Sequence, residues 1–515
     1  MGMRVVFLAA ECEPWAKTGG LADVVDALAR ALGQVGGDAL EGAGAGALDD
    51  AGPVALDGAG PIDVYLPRYR GIDVPAGSVS RRISVPDPLA STGTTAVHII
   101  DVAGDGYRLR LVDHPPAFDR SGYYGDASGD YPDNAWRFGL FCRAALEQFR
   151  TEDRPPDVLH IHDWHAAPAL IFRDGDLRAD PALGSAASIL TVHNLAYHGW
   201  TPPAALGQLG LPVPKARAGG PDAGGLDLLR DAIERAELVN TVSPGYAAEA
   251  LGPEQGMGLD GALRAKGDHF FGILNGLDTD LWNPATDSAL AATYSRADRR
   301  GKAACRAALL EEVGLDPADG GAVLSMIGRL DPQKGFDLLA GAAPALLERG
   351  VRLVVLGSGS PDLVGGLRGL VAANPDRIAL LERFDRELAR RIYAGTDGFL
   401  MPSRFEPCGT GQMIALRYGT PPIVRATGGL RDTVVDENAA PGHGTGFRFD
   451  AATPAALIEA CDRFLAMFSA GGAGWEALLE RGMAVDFDWR RSSAPAYLEA
   501  YRRAIEIRRA GQPEG

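Results

Sequence analysis

The chain has 515 residues, 46% of them hydrophobic and 23% charged. At roughly 150 residues per domain it is long enough for two or three domains with sizeable cores, and general disorder is excluded. Fifty Lys and Arg stand against 67 Asp and Glu, a formal charge of −17; a protein that coats nucleic-acid phosphates would be basic, so only a local basic pocket for a small phosphate ligand remains.

Along the chain, no apolar run approaches the roughly 18 residues of a membrane span. The N-terminal apolar stretch meets Glu11 too soon for a signal peptide. Five scattered cysteines without a Cys-x-x-Cys disfavour zinc ribbons and disulfide frameworks, and a reducing cytoplasm fits them. Arg4–Ala10 reads as a buried strand because Val5, Val6, Phe7 and Leu8 run together. After the loop Lys17-Thr18-Gly19-Gly20, Ala22–Leu32 places Val24, Val25, Leu28 and Leu32 on one helical face. Strand, Gly loop and helix open a doubly wound α/β unit. Gly36–Gly60, mostly Gly, Ala and Asp, has too little large apolar surface to offset ordering and reads as a flexible insertion. Strands resume at Asp63–Pro67, Asp157–His162, Ser188–His193, Leu238–Val242 and Phe271–Leu274.

The pattern then restarts. Ala322–Ile327, Arg352–Leu356, Ile378–Leu381, Gly398–Met401 and Pro422–Val424 are five further buried strands, with helical stretches between them. Turn signals place the boundary near 275–298. The domain expectation is therefore 1–280, then 281–485, then a C-terminal helical segment 486–515 in which Ala494–Arg509 is the helix.

Several constellations could carry chemistry. Three Gly loops, Lys17–Gly20, Gly357–Gly359 and Thr427-Gly428-Gly429, either let backbone amides approach a phosphate or simply make tight turns. None is a full dinucleotide fingerprint or a P-loop. Arg329 and Lys334, just past a strand, suit a diphosphate or form a solvated loop pair; spacing leaves both open. The cluster His160-Ile161-His162-Asp163-Trp164-His165 reads as a strand end that binds a polar substrate rather than a metal. Asp174-Gly175-Asp176 and Asp278-Thr279-Asp280 read as solvated loops. Glu406, beside a strand end, either hydrogen-bonds sugar hydroxyls or is an ordinary acid, and Cys408 reads as a packing thiol. Together these describe a two-unit α/β protein with a phosphorylated or nucleotide ligand.

The same residues resemble the bacterial glycogen synthase and plant starch synthase family over nearly the whole length. The resemblance rests on Lys17–Val25, Leu66–Tyr69, Tyr131–Asn134, His160–His165, Thr191–Tyr197, Asn240–Pro244, Gly272–Gly276, Gly328–Gly335, Pro402–Gly409 and Thr427–Thr433. It implies a GT-B fold, two Rossmann-like doubly wound domains facing a deep cleft. It implies transfer of glucose from ADP-glucose to the non-reducing end of an α-1,4-glucan with retention of configuration, in the cytoplasm, with no metal and no pyridoxal phosphate. By motif match, Lys17 and Gly20 approach the donor phosphates, with Asp23 near the donor. Asp133, His162 and Asn275 surround the transferred glucose. Arg329 and Lys334 hold the diphosphate. Glu406 binds glucose hydroxyls, Cys408 and Gly409 line the same turn, and Thr427, Gly428 and Gly429 offer amides at a helix start. The family favours a front-face route in which the departing phosphate deprotonates the acceptor.

Three departures stand out: the 36–60 insertion, Thr410-Gly411 where the family has Leu-Thr, and Asp227–Arg230 in place of a segment carrying Asn and Lys. The competing readings are a GT-B transferase using UDP-glucose or another acceptor, a pyridoxal-dependent glucan phosphorylase, and a non-catalytic glucan-binding relative. A nicotinamide dehydrogenase lacks its fingerprint here.

Overall fold

A computed structural model describes residues 2–41, 62–211 and 225–511. Two compact units emerge, one drawn from Met1–Val242, Ala247–Ile273 and Trp489–Gly515, the other from Ser243–Tyr246 and Leu274–Asp488.

The first unit is built on a nine-stranded sheet. Its strands are β1 (Val5–Leu8), β2 (Asp63–Pro67), β3 (Val79–Pro86), β4 (Thr94–Ala103), β5 (Arg108–Asp113), β6 (Val158–His162), β7 (Ala187–Val192), β8 (Leu238–Thr241) and β9 (Phe270–Gly272). They lie in the order β9-β8-β7-β6-β1-β2-β5-β4-β3. All pairings from β9 to β5 are parallel, and β3 and β4 add an antiparallel edge. The six strands expected here are present within a residue or two. The three between 79 and 113 were not expected. β3 is exposed along most of its length and carries Arg81, Arg82 and Pro86. This is the composition that keeps an edge strand from pairing with another chain, and it hides the strand from a search for apolar runs.

Helix α1 spans Gly20–Glu41 and buries Leu21, Val24, Val25, Leu28 and Leu32 at the expected three- and four-residue spacing. It corrects the expected start of the insertion, because residues 36–41 continue the helix. Once three packed turns exist, extension adds one hydrogen bond per residue, and even Gly costs only about 1 kcal/mol. Residues 42–60 of the expected insertion lie outside the described residues. Helix α2 (Asn134–Phe149) lies between β5 and β6 in the chain.

The second unit has a six-stranded, wholly parallel sheet. Its strands are β10 (Val323–Ile327), β11 (Arg352–Leu356), β12 (Ile378–Leu381), β13 (Gly398–Met401), β14 (Pro422–Arg425) and β15 (Phe447–Phe449). The order is β12-β11-β10-β13-β14-β15, the 3-2-1-4-5-6 arrangement of a doubly wound dinucleotide-type sheet. Helices α3 (Phe336–Glu348), α4 (Gly411–Arg417) and α5 (Gly428–Thr433) follow β10, β13 and β14. Leu324, Met326, Leu353, Val355, Leu400 and Phe464 share one core cluster.

The chain then returns to the first unit. Helix α6 (Ser493–Ala510) buries Tyr497 and Tyr501. Tyr501 OH lies 2.8 Å from His160 Nδ1, and His160 Nε2 lies 2.7 Å from Thr191 Oγ1. The Thr191 hydroxyl donates to Asn240 Oδ1 at 2.7 Å, and Asn240 Nδ2 donates to Tyr497 OH at 3.1 Å. Since the Thr191 proton goes to Asn240, Thr191 accepts from His160 Nε2–H and His160 Nδ1 accepts from Tyr501. A polar network this deep must be fully paired, so the last segment is part of the first unit from Trp489 onward rather than a separate piece. Tyr501→Phe should cost about 1–3 kcal/mol by leaving His160 Nδ1 buried without a donor. Urea unfolding read on that unit's tyrosine fluorescence checks this, and an unchanged midpoint would contradict it.

Among the described residues, no helix is long and apolar enough to cross a membrane.

Candidate active site

Among the parallel strands of each sheet the order reverses at one place, between β1 and β6 in the first unit and between β10 and β13 in the second. Ligands of open α/β sheets bind beyond the carboxyl ends of the strands at such a point. Lys17, Arg329, Lys334, Glu406, Cys408 and Gly409 fall on the loops that leave three of these strands, and His162 ends the fourth, β6.

In the first unit, the loop after β1 folds around Glu11. This carboxylate is buried and accepts Thr18 N at 2.6 Å, Gly19 N at 3.2 Å, Thr18 Oγ1 at 2.5 Å and Tyr124 OH at 2.6 Å. Two amides of the Lys17–Gly20 loop are thus taken by an internal anion. Glu11 went unnoticed in sequence, because nothing local signals that an acid six residues before a Gly loop will fill its nest. Lys17 Nζ donates to Glu13 Oε2 at 2.7 Å and also to Asp23. Burial, then the hydrogen bond with Glu13, pushes the Asp23 carboxyl up, against the pull of Lys17. Gly20 opens α1 with no neighbouring atom where a Cβ would stand, so its face is open.

His162 ends β6 and is fully buried. Its Nδ1 lies 3.0 Å from His193 Nε2, while its Nε2 is buried with no partner. Burial, reinforced by His160 and His193, holds it far below its ordinary pKa, so the ring is neutral. Asp133 stands just before α2 and receives both Arg120 amino groups, at 2.8 and 2.6 Å. Arg120 and Arg137 both lie over the Tyr131 ring, at 4.9 and 5.0 Å, which fixes the Tyr131–Asn134 turn.

In the second unit, the loops after β10 and β13 interlock. Arg404 N donates to Gln333 O at 2.7 Å, and Gln333 Nε2 to Phe405 O at 3.3 Å. Gly335 has φ of +76°, and a Cβ there would stand 2.2 Å from Pro402 O; only Gly permits both. The result sets Lys334 Nζ 2.6 Å from Glu406 Oε2, which also accepts Ser403 Oγ at 3.0 Å. Glu406 is 5% exposed. The Arg329 side chain is 63% exposed and has Asp331 at 3.3 Å. Asp331 Oδ1 accepts Lys334 N at 3.0 Å, capping the turn that carries the lysine.

Cys408 is buried. Burial pushes its thiol up to about 12, against a hydrogen bond from the Asn275 backbone, so it is a packing thiol. Asn275 is itself buried, and its Oδ1 has no partner. Gly409 has φ of +74°, and Gln412 Nε2 ties the turn down by donating to Cys408 O at 3.1 Å and Gly409 O at 3.0 Å. The Gly429 amide donates to Glu406 O at 3.1 Å. This corrects the expectation that Thr427, Gly428 and Gly429 all present free amides. A Cβ on Gly428 would stand 2.0 Å from Glu406 O, and one on Gly429 2.3 Å from Cys408 O. These glycines let α5 touch the turn that carries Glu406. At the Thr410-Gly411 departure, Thr410 precedes α4, and a Cβ on Gly411 would meet the Phe399 ring at 3.0 Å, so the glycine serves packing. Asp227 caps a short helix by accepting Arg230 N at 2.9 Å and pairs with His198 at 2.7 Å.

Two further features bear on chemistry. Phe384, unnoticed in sequence, lies just beyond β12 and is 81% exposed, a free ring face for stacking. The two Asp-x-Asp triplets are spent locally: Asp174 pairs with Arg173 and Asp176 with Arg143, and Asp278 accepts its neighbours' amides. Among the described residues, no group of three His, Cys, Asp or Glu side chains could hold a metal. Of the residues that the resemblance sets around the transferred glucose, His162 and Asn275 each keep a buried polar atom without a partner. Buried polar atoms are rarely left so, and each calls for a partner.

Comparison with known proteins adds a family. The starch synthase catalytic domain family matches residues 4–40 and 46–265, and glycosyl transferases group 1 matches 321–467. The glycogen synthase of Syntrophotalea carbinolica is 38% identical over 511 residues, 99% of this chain and all of that one. That of Anaeromyxobacter dehalogenans is 41% identical over 500 residues, 96% of this chain and 98% of its own. Among solved structures, the catalytic domain of starch synthase IV from Arabidopsis thaliana, bound to ADP and acarbose, superposes with a TM-score of 0.82. It is 34% identical and covers 98% of this chain and 100% of its own. Sucrose-phosphate synthase from Thermosynechococcus elongatus, at 18% identity and a TM-score of 0.58 over 98% of this chain and 99% of its own, shares the fold.

Proposed function

The chain belongs to the glycogen synthase and starch synthase family of GT-B glucosyltransferases, and from that premise we propose that it transfers glucose from ADP-glucose to the non-reducing end of an α-1,4-glucan with retention of configuration. The observation that carries the donor half is the Lys334–Glu406 pair at the switch point of the second unit, with Arg329 exposed on the same loop. A diphosphate needs cations and a sugar needs a hydrogen-bonding carboxylate. One pair of loops supplies both.

The chemistry follows from where charge grows. Breaking the glycosidic bond leaves ADP increasingly negative and gives the sugar oxocarbenium character. In this reading Arg329 and Lys334 stabilise the leaving diphosphate from fixed positions. Glu406 accepts from glucose hydroxyls while Lys334 and Ser403 orient it. His162 Nε2 and Asn275 Oδ1, each without a protein partner, are assigned to the transferred glucose, and Asp133, aligned by Arg120, to the same group. The departing phosphate takes the acceptor proton on the front face. This route calls on neither a metal ion nor pyridoxal phosphate. The exposed Phe384 ring offers the base a stacking face. Because such stacking tolerates any base, UDP-glucose is the control that matters. We place the reaction in the cytoplasm, with glycogen as acceptor.

The test is ADP release from ADP-glucose with and without glycogen, with UDP-glucose in parallel. Glycogen-dependent release from ADP-glucose is expected. A preference for UDP-glucose would overturn the donor assignment, and release from neither would favour a non-catalytic glucan-binding relative.

A further inference from the structure

His160 and His162 lie two residues apart on β6, with ring centroids 4.1 Å apart. His160 is paired at both nitrogens, by Tyr501 and Thr191. His162 is paired at one nitrogen only, and that partner is another histidine, His193, which follows β7. What holds His193 is unusual. Asp163, directly after His162, has φ of +56°, a left-handed conformation that costs a non-Gly residue roughly 1–2 kcal/mol. In that conformation its Oδ1 accepts the His193 backbone N–H at 2.7 Å. The left-handed turn thus brings the carboxylate from the end of one strand onto the end of the next. Strain of this kind persists where surrounding structure over-determines it, and it gathers at functional sites.

We propose that His193 is a positioning residue for glucosyl transfer, selecting the tautomer of His162 through the Nδ1···Nε2 contact, and that Asp163 is the clamp that holds His193 in place. This rests on the reading of the chain as a glucosyltransferase in which His162 Nε2 meets the transferred glucose. Burial keeps both rings neutral, pushing His193 down to about 3 and His162 well below its ordinary value. A neutral imidazole carries one N–H, and the bond made by one nitrogen decides the state of the other. A neutral His–His pair has one proton in the contact. If His162 supplies it, the free Nε2 of His162 is a bare acceptor; if His193 supplies it, that Nε2 carries the proton, so the state of the free nitrogen is tied to His193 before any sugar arrives. Without His193 both tautomers of His162 would be populated, and only one would suit the sugar oxygen.

The experiment compares wild type, His193→Ala and Asp163→Ala by steady-state kinetics and by ring 15N spectra of histidine-labelled protein. In wild type, His162 should show one neutral tautomer, with one protonated and one bare nitrogen. In His193→Ala its two shifts should move toward an average. There kcat should fall roughly 10- to 100-fold, the range for removing the partner that orients a functional histidine, with KM for ADP-glucose within about threefold. His193→Gln, which can still bond Nδ1, should recover part of the loss. A single unchanged tautomer with kcat within about threefold of wild type in His193→Ala would overturn the proposal. So would a rise in KM alone. If His193→Ala does not fold, the Asp163→Ala spectrum decides: a tautomer mixture supports the clamp and an unchanged spectrum overturns it. Wild-type protein that releases no ADP would sink the glucosyltransferase reading while the spectra still report on the histidine pair.

Discussion

Lys334→Ala is expected to lower kcat for glucosyl transfer by roughly two powers of ten. Losing one preorganised, charge-stabilising donor costs about 3 kcal/mol of transition-state stabilisation, and each 1.36 kcal/mol is about a factor of ten in rate. The geometry makes the loss hard to repair. Lys334 is placed by three features: the Asp331 cap on its amide, the left-handed Gly335 after it, and the Glu406 carboxylate at 2.6 Å. Removing the ammonium also leaves a nearly buried carboxylate with the Ser403 hydroxyl as its side-chain donor, and a buried charge stripped of its counter-ion is strongly unfavourable. The damage should therefore appear in kcat with ADP-glucose, while KM for glycogen stays near wild type. ADP release under saturating glycogen measures it. Turnover within about threefold of wild type would remove Lys334 from the leaving-group role.

Gly428→Ala is expected to damage both stability and activity. The added Cβ would stand 2.0 Å from Glu406 O and 3.0 Å from its carbon, both backbone atoms that cannot swing aside. The residue also has φ of +44°, which Ala adopts only at a cost. Overpacking typically costs about 1–3 kcal/mol, and the left-handed backbone adds roughly 1 kcal/mol more. Whatever relieves the clash must move α5 or the Glu406 turn, so activity should fall with stability. Gly366→Ala is the control. It lies inside the helix Pro361–Ala373 with nothing near its Cβ, and Ala there should be neutral or stabilising by up to about 1 kcal/mol. Paired urea titrations separate the two, and equal midpoints would contradict the packing argument.

What could be read from the sequence divides along physical lines. Val5–Leu8, Arg352–Leu356 and Gly398–Met401 were legible because a parallel strand covered on both faces is written as a nearly unbroken apolar run. The Arg329, Lys334 and Glu406 constellation was named through the family resemblance, since spacing alone left each of them an ordinary reading; the fold sets Lys334 against Glu406, 72 residues away, on short loops after adjacent strands. The edge strand β3 was not legible, since its exposed, arginine-bearing face lacks any such run. The extension of α1 through residues 36–41 was hidden by composition: Gly and Asp there follow a helix already nucleated and packed. Glu11 in the Gly-loop nest and Gly429 bonded to Glu406 O depend on tertiary contacts with no local signature. The tie between His160 and Tyr501 spans 341 residues. Nothing near either residue announces it, so the final helix read as a segment apart.

The central claim is glucosyl transfer, with retention, onto the non-reducing end of an α-1,4-glucan. It is tested most directly by incubating the protein with glycogen and ADP-glucose labelled in the glucose, isolating the glycogen, and digesting it with an exo-acting enzyme that frees maltose only from α-1,4-linked non-reducing ends. Label that enters the glycogen and leaves it as maltose is the predicted result. Absence of incorporation, or label that resists the digestion, would contradict it.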